Sequence, residues 1–349
     1  MNEHLYKMIR AKPMGGNLMS GRSLTRRQAL LAASAAVALT CCRPAAARQP
    51  LRIGSLRFGS VNWLLETIEA EGLDEKAGIL LERTDFASNQ ASTIALLSRS
   101  VDMIVSDWLW ALRQRSEDEE LLFYPYSGAL GAILVPPDSE IRTLEQLANK
   151  RIGVAGSALD KSWLLLRAHL QQEKAFDPAV DAQPFYGAPP LLSEQIQIGR
   201  LDALLTYWNY AARLEAAGYR VLAEMTDILA ALGLEPAPPL VGFVWHKDLA
   251  EHFDQLPAWF RAVEEAQAIL LRSDETWERL RPLMQIERPE EFTALRDRYR
   301  AGISGPWQPA QEAAAQELFE LLRRIGGEQL LGPNTSFEPQ LFASAEGSR

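Results

Sequence analysis

Cysteine is nearly absent. The chain has 349 residues and two cysteines, Cys41 and Cys42, side by side near the amino terminus. Cleavage after Ala47, where "PAAARQP" offers a small-residue site, would leave none, excluding disulfides, thiolate catalysis and cysteine-held metals. Histidine is scarce too, with only His169, His246 and His252 after residue 47. No later apolar run approaches the roughly 18 residues of a membrane span. Serine nucleophile elbows, phosphate loops and zinc-protease motifs are missing. Positive charge is in deficit: the first 47 residues hold seven of the 36 basic residues and one of the 45 acids, leaving 29 against 44 and a net charge near −15. That balance argues against a nucleic-acid groove, which needs clustered Lys and Arg.

The basic start has an export layout. "TRRQALLAASAAVALTCC" sets Arg26 and Arg27 before an apolar run from Ala29 to Thr40, too short for a stable span. The arginine pair resembles a twin-arginine signal, so residues 1–47 are expected to be an export signal and the mature protein periplasmic. An ordinary secretory signal, a lipid anchor on Cys41 or Cys42, and later starts at Met14 or Met19 remain open.

From residue 51 strand and helix patterns alternate. "LRIGS", "ILLERTDF" and "VDMIVS" read as strands, with helices over 62–73, 88–100 and 108–116 between and after them. "LLFYPYS" and "ALGAILVPP" follow. A second cycle starts after Pro136-Pro137, with a strand at Arg151 to Ala155, a helix from about Leu159, then "DALLTY", "YRVLAEM" and "VGFVWHK". Such β-α-β units predict an α/β chain of parallel sheets covered by helices. "ALLSRSVDMIVSDWLWAL" and "QIQIGRLDALLTYWNYAA" share one grammar: a helix ending near a basic residue, a hydrophobe and Asp opening a strand, then Trp. This suggests two similar lobes. Residues 256–325 read as helices, and "GGEQLLGPNTSFEPQLF" as turn-rich surface.

"EIRTLEQLANKRIGVAG", "LLSRSVDMIVSD", "IGRLDALLTYW" and "WHKDLAEHFDQLPAWFRAVEEA" together resemble periplasmic solute-binding proteins of ABC importers, in the taurine, nitrate, aliphatic-sulfonate and thiamine-precursor branch. The resemblance covers most of residues 50–270. It implies the two-lobed periplasmic-binding-protein fold of type II, with crossovers near Val135–Pro137 and Pro238–Leu240. Lobe one would be 50–135 plus 240–349, and lobe two 138–238, closing like a hinge on a ligand. It also implies a monomer that captures a small solute, needs no cofactor or metal, has no catalysis of its own and delivers to an inner-membrane permease and ATPase complex. The thiamine-pyrimidine synthases of the same fold use an active-site histidine and a cysteine-rich motif that this chain lacks. "SDWLW", "GSALDKSWLLLR", "YGAPPLL" and "ARLEAAGYR" are also similar to a subgroup associated with periplasmic quinoprotein alcohol oxidation. That leaves a second reading, an exported ligand-binding sensor or accessory protein.

On this map the ligand contacts come from segments directly after strands, where helix N-termini and loops meet the cleft. They are Phe58, Ser60, Asn62 and Trp63; Asn89 and Gln90; Asp107 and Trp108; Gly128; Ser157 and Lys161; and Tyr186, Tyr207, Trp208 and Asn209. Ser88, Asn89, Ser157 and Asp160 have a plainer role as helix caps. Trp110 and Trp163 are expected in the core, and Trp108 at the cleft edge. His169 reads as structural, and His246 as a surface or hinge residue. Asp107 either caps helix 108–116 or faces the cleft; in the second case the ligand is neutral, cationic or metal-bearing, because an unpaired carboxylate repels an anion.

Overall fold

The computed structural model describes residues 48–344 apart from Phe58, Ala175, Gly305 and Pro306. The export-signal readings, Cys41 and Cys42, and the candidate Phe58 lie outside the described residues.

In chain order, β1 (Gln49–Leu56) leads into α1 (Val61–Ala70) and the short α2 (Leu73–Lys76), then β2 (Ile79–Phe86), α3 (Asn89–Leu97), β3 (Met103–Asp107) and α4 (Trp108–Arg115). β4 (Leu121–Ser127), β5 (Ala132–Val135) and β6 (Arg151–Ala155) follow, then α5 (Lys161–Lys174), α6 (Pro178–Asp181), β7 (Gln183–Gly187), α7 (Pro189–Gln197), β8 (Ala203–Thr206), α8 (Trp208–Ala216), β9 (Arg220–Glu224) and α9 (Met225–Ala231). The chain closes with β10 (Val241–His246), α10 (Leu249–His252), α11 (Leu256–Arg272), α12 (Asp274–Leu280), α13 (Pro289–Ala301) and α14 (Pro309–Leu331).

The strands form two five-stranded sheets, in the orders β2-β1-β3-β10-β4 and β7-β6-β8-β5-β9. Each has three parallel strands and one strand, β10 or β5, that is antiparallel to both its neighbours. The expected all-parallel sheets are therefore mixed. The exceptional strand in each sheet arrives from the other sheet, and a strand entering by such a crossover is free of the β-α-β geometry that keeps neighbours parallel. β5 already belongs to the second sheet, so the chain crosses over residues 128–131, ahead of the expected 135–137. At this crossing the Gly128 N–H donates to Gly302 O at 2.9 Å. A Cβ on Gly302 would stand 2.3 Å from Ala129 Cβ, so only glycine fits there.

The repeated sequence grammar has a repeated structural cause. Asp102, just before β3, takes the Arg52 backbone N–H at 2.8 Å and its guanidinium Nε at 3.1 Å. Asp202, just before β8, does the same for Arg151, at 2.8 and 3.1 Å. In both sheets the carboxylate thus stitches the central strand to the preceding parallel strand with a forked, charge-assisted pair.

The core is shared between the sheets. Leu96 and Trp108 of the first half, Ile133 and Trp163 of the second, and Leu318, Phe319 and Leu322 of α14 belong to one buried apolar cluster. The C-terminal stretch expected as turn-rich surface differs in part: helix resumes to Leu331 after a kink at Gly327, whose φ is +57°, and Leu341 and Phe342 beyond it are buried. Phe342 stacks on Trp307 at 4.3 Å and meets Trp108 edge-on at 5.8 Å. Aromatic burial outweighs the turn-forming Gly and Pro around it. No helix among the described residues is long and apolar enough to cross a membrane.

Candidate functional site

The carboxyl ends of the two sheets are joined by two cross-links. The first is ionic. Asp107 ends β3 in the first sheet and Lys161 opens α5 beside the second; Lys161 Nζ donates to Asp107 Oδ2 at 2.8 Å. The second is aromatic. Trp208, at the start of α8, meets Trp63 of α1 edge-on at 6.0 Å and Tyr299 of α13 at 6.0 Å. Trp63 is itself held by Trp277 and Tyr299, each at 5.6 Å. Such edge-to-face contacts order the rings beyond the area they bury.

Asp107 caps α4, as one of its two expected readings has it, and also pairs with Lys161. Its Oδ1 accepts the Trp110 N–H at 2.9 Å, capping α4, while its Oδ2 takes Lys161. Asp160 is placed the same way on α5, its Oδ1 accepting from the N–H groups of Ser162 and Trp163 at 3.0 and 3.2 Å. Its Oδ2 has no hydrogen-bond donor among the described residues and points to the space over Gly156. A Cβ added at Gly156 would lie 3.2 Å from both Asp160 Oδ2 and the Tyr207 hydroxyl, and its φ of +103° also calls for glycine. The Tyr207 ring is 39% exposed, but its hydroxyl turns inward to this point.

The electrostatics follow from that crowding. Burial works against the Lys161 ammonium, but Asp107 and then Asp160 lift its pKa above the usual value. Burial pushes Asp160 up to about 6, against the pull of Lys161 and the two backbone N–H groups. The Tyr207 phenol is pushed up to about 12, by burial first and then by the charges of Asp160 and Asp107. Across the cluster, two carboxylates face one ammonium.

Asp160 binds its proton more tightly in the folded than in the unfolded chain, so it contributes stability below about pH 4 that is lost as pH rises through about 6. Asp160→Asn keeps the cap. It is expected to stabilise the ligand-free protein by roughly 1–3 kcal/mol at about pH 7.5, with the gain shrinking toward pH 4. Urea unfolding at the two pH values measures this; equal stability of both proteins at the higher pH would refute it.

The other expected contacts divide. Ser60 lies beside the buried Tyr126, whose phenol burial pushes up to about 12 while Tyr299 and Ser60 hydrogen-bond against that rise. Asn62 is spent on its own loop, donating to Leu56 O and accepting from the Ser55 hydroxyl, both at 2.8 Å. Ser88 caps α3 by accepting the Ala91 N–H, and Ser157 accepts from Leu159 N. Asn89 and Gln90 are exposed on the first turn of α3. Gly128 sits at the crossing, Asn209 is half-buried on α8, and Tyr186, 41% exposed, meets Trp163 edge-on at 6.2 Å.

Trp108 is a correction. It is 0% exposed and packs on Phe337 and Phe342, so it belongs to the core and not the cleft edge. Trp110 is the half-buried one of the pair. Position one of α4 turns its side chain back toward the sheet, and the C-terminal tail closes over it. His246 is a second correction: it is 3% exposed within β10, its Nε2 is 3.2 Å from Leu96 O, and burial lowers its pKa. Tyr126, Trp277 and Tyr299 were not singled out from the sequence; they lie far apart in it, and no local pattern marks them. Gly156 could have been found, as the turn glycine directly after β6.

Among the described residues no group of three or more His, Cys, Asp or Glu gathers where it could hold a metal. A groove of about 500 Å³ lies elsewhere, lined by Gln172, Leu232, Leu234, Gln316, Leu321 and Arg324. It adjoins the far end of α5 from Asp160 and is open to solvent, which sets it apart from the cross-linked cleft.

No family model and no curated protein matches the sequence. Solved structures do match. The periplasmic aliphatic sulphonate binding protein SsuA of Escherichia coli is 18% identical, with a TM-score of 0.64 over 83% of this chain and 94% of that one. The alkanesulfonate-binding SsuA of Xanthomonas axonopodis pv. citri, bound to MOPS, is 19% identical with a TM-score of 0.63, over 84% and 98%. The desulfurization enzyme DSZB, 15% identical, gives 0.63 over 86% and 98%. These likenesses show the fold, the two-lobed α/β architecture of periplasmic binding proteins. Because an enzyme shares it, the fold alone does not assign the chemistry.

Proposed function

We propose that the chain is the periplasmic, solute-capturing component of an ABC-type importer, without catalysis of its own. The two sheets with their covering helices are the two lobes, and the solute is held where their carboxyl ends meet. The observation that carries this is the Asp107–Lys161 pair, which joins the end of one sheet to the first helical turn beside the other at 2.8 Å. Ligands of open α/β sheets bind in that crevice. A solute contacted from both lobes stabilises the closed form, because only that form completes its contacts. The sulfonate-binding neighbours favour transport over catalysis. So does the candidate site's make-up: it contains no cysteine or histidine, and the His246 ring is engaged by the Leu96 carbonyl of α3.

Native mass spectrometry on protein exported by its own host and purified without denaturation tests the reading. A small co-purifying mass supports it and reads the mature N-terminus, deciding between cleavage after Ala47 and lipidation at Cys41 or Cys42. Co-purification of the permease and ATPase from membranes would identify the partners. A mature protein that carries no solute, and that no solute stabilises against heat, would favour the sensor or accessory reading.

A further inference from the structure

The two sheets share one strand plan, so their edges can be compared directly. β2 is the outer strand of the first sheet and β7 of the second, each paired in parallel with one neighbour, β1 or β6. Edge strands leave a row of unpaired backbone groups, and proteins guard them with charge. β2 follows that rule: Glu82, Arg83 and Asp85 lie along it, with Glu82 and Asp85 exposed. β7 does not. No charged residue stands between Asp181 and Glu194, in a chain with 45 acids against 36 bases. Phe185 on β7 is 47% exposed and Leu191 on α7 52%. Strand residues alternate between faces, so Phe185 lies on the side of Gly187. Leu191 borders that same face, since a Cβ on Gly187 would stand 3.8 Å from its Cδ2.

The backbone of this edge is self-complementary. Gln183 N–H donates to Lys150 O, and Gly187 O accepts from Gly156 N–H, both at 2.9 Å. The odd-numbered residues therefore turn their groups inward, and those of Pro184 and Tyr186 face out. Pro184 offers a carbonyl and no N–H; Tyr186 offers both. Antiparallel pairing of two β7 strands about Phe185, the middle residue of the five, overlaps them along their whole length. It sets each Pro184 carbonyl opposite the Tyr186 N–H of the other protomer. The two Phe185 residues then face each other as a non-hydrogen-bonded pair, the closer of the two antiparallel spacings. Copies of an acidic chain repel where acidic faces meet, and this uncharged edge is a place where they can approach.

We infer that β7 is a contact surface for a second copy of this chain, paired about a two-fold axis at Phe185 so that one sheet runs through both protomers. The dimer stands in place of the monomer that the family resemblance implies, and it does not depend on what the cleft binds. A two-fold contact uses one edge of each copy, so the assembly closes and does not grow into a fibre.

Sedimentation equilibrium of the chain exported by its host, over a roughly hundredfold range of concentration, reads the association. A reversible monomer–dimer equilibrium is expected. Phe185→Lys changes an exposed position and sets like charges opposite each other, and should raise the dissociation constant about tenfold or more. Cross-linking in a chain carrying Cys41→Ser and Cys42→Ser tests the axis. Phe185→Cys should oxidise to a disulfide-linked dimer, because its two Cα atoms lie about 4.5 Å apart, within disulfide reach. Gln183→Cys, displaced from its mate by roughly 13 Å along the strands, should not. A monomer at every concentration, a dimer that Phe185→Lys leaves unchanged, or cross-linking of Gln183→Cys as readily as Phe185→Cys would each overturn the inference.

Discussion

Glu291→Ala is expected to destabilise the protein by about 3–5 kcal/mol, because it strips a buried carboxylate from two arginines. The Glu291 side chain is 2% exposed. It takes Arg213 Nη1 on Oε2 at 2.6 Å and Arg288 on Oε1 at 3.0 Å. Arg213 belongs to α8, beside the second sheet, and Glu291 to α13, whose Tyr299 packs under the first. Arg213 also donates to Met284 O and Gln285 O, so its guanidinium is built into the joint between the halves. Removing Glu291 leaves both guanidinium groups near a low-dielectric seam with only carbonyls for partners. Arg298 of α13, which bridges Glu215 and Glu224 of the second half at 2.5 and 2.7 Å, is then left as the ion-paired arginine of that seam. Denaturant unfolding reads the loss, and small-angle scattering reads whether the lobes separate. A change below about 1 kcal/mol with unchanged scattering would show that the pair is merely a solvated contact.

Trp108→Ala is expected to cost about 3–5 kcal/mol while leaving solute affinity at the cleft unchanged in the folded protein. Trp108 is fully enclosed by the C-terminal tail: Phe337 at 6.2 Å and Phe342 at 5.8 Å meet its ring edge-on, and Phe342 also meets Phe123 at 5.8 Å. Truncation opens a cavity that these rings cannot all collapse into, since Phe342 is already stacked on Trp307. Trp208→Ala offers the contrast. It is half-buried and touches Trp63 and Tyr299 across the cleft, so its loss should cost less stability and act on lobe closure. The reverse pattern, with Trp108→Ala stable but unable to bind, would return Trp108 to the cleft edge.

These two tryptophans show what kind of information each level holds. Both open a helix at or one residue after the end of a strand, and in the sequence they look alike. Their fates part only because the C-terminal tail folds over one and α13 lies beside the other, contacts made from about 90 to 230 residues away along the chain. Asp107 was legible as a cap from its place before α4, since that bond spans three residues. Its bond to Lys161 spans 54 residues and follows no local pattern.

What the sequence by itself determined was whatever depends on neighbours in the chain. The strand and helix alternation, the cap residues Ser88 and Asp107, and the doubled motif with its strand-opening aspartate are set by periodicity and short-range hydrogen bonds, which act over a few residues. The antiparallel entry of β5 and β10, the burial of the C-terminal tail and the convergence of Asp160 with Tyr207 were decided by tertiary structure. Each depends on which distant surfaces bury the most apolar area together, and on which charges are brought near enough to pair, and neither quantity exists until the two halves of the chain have met.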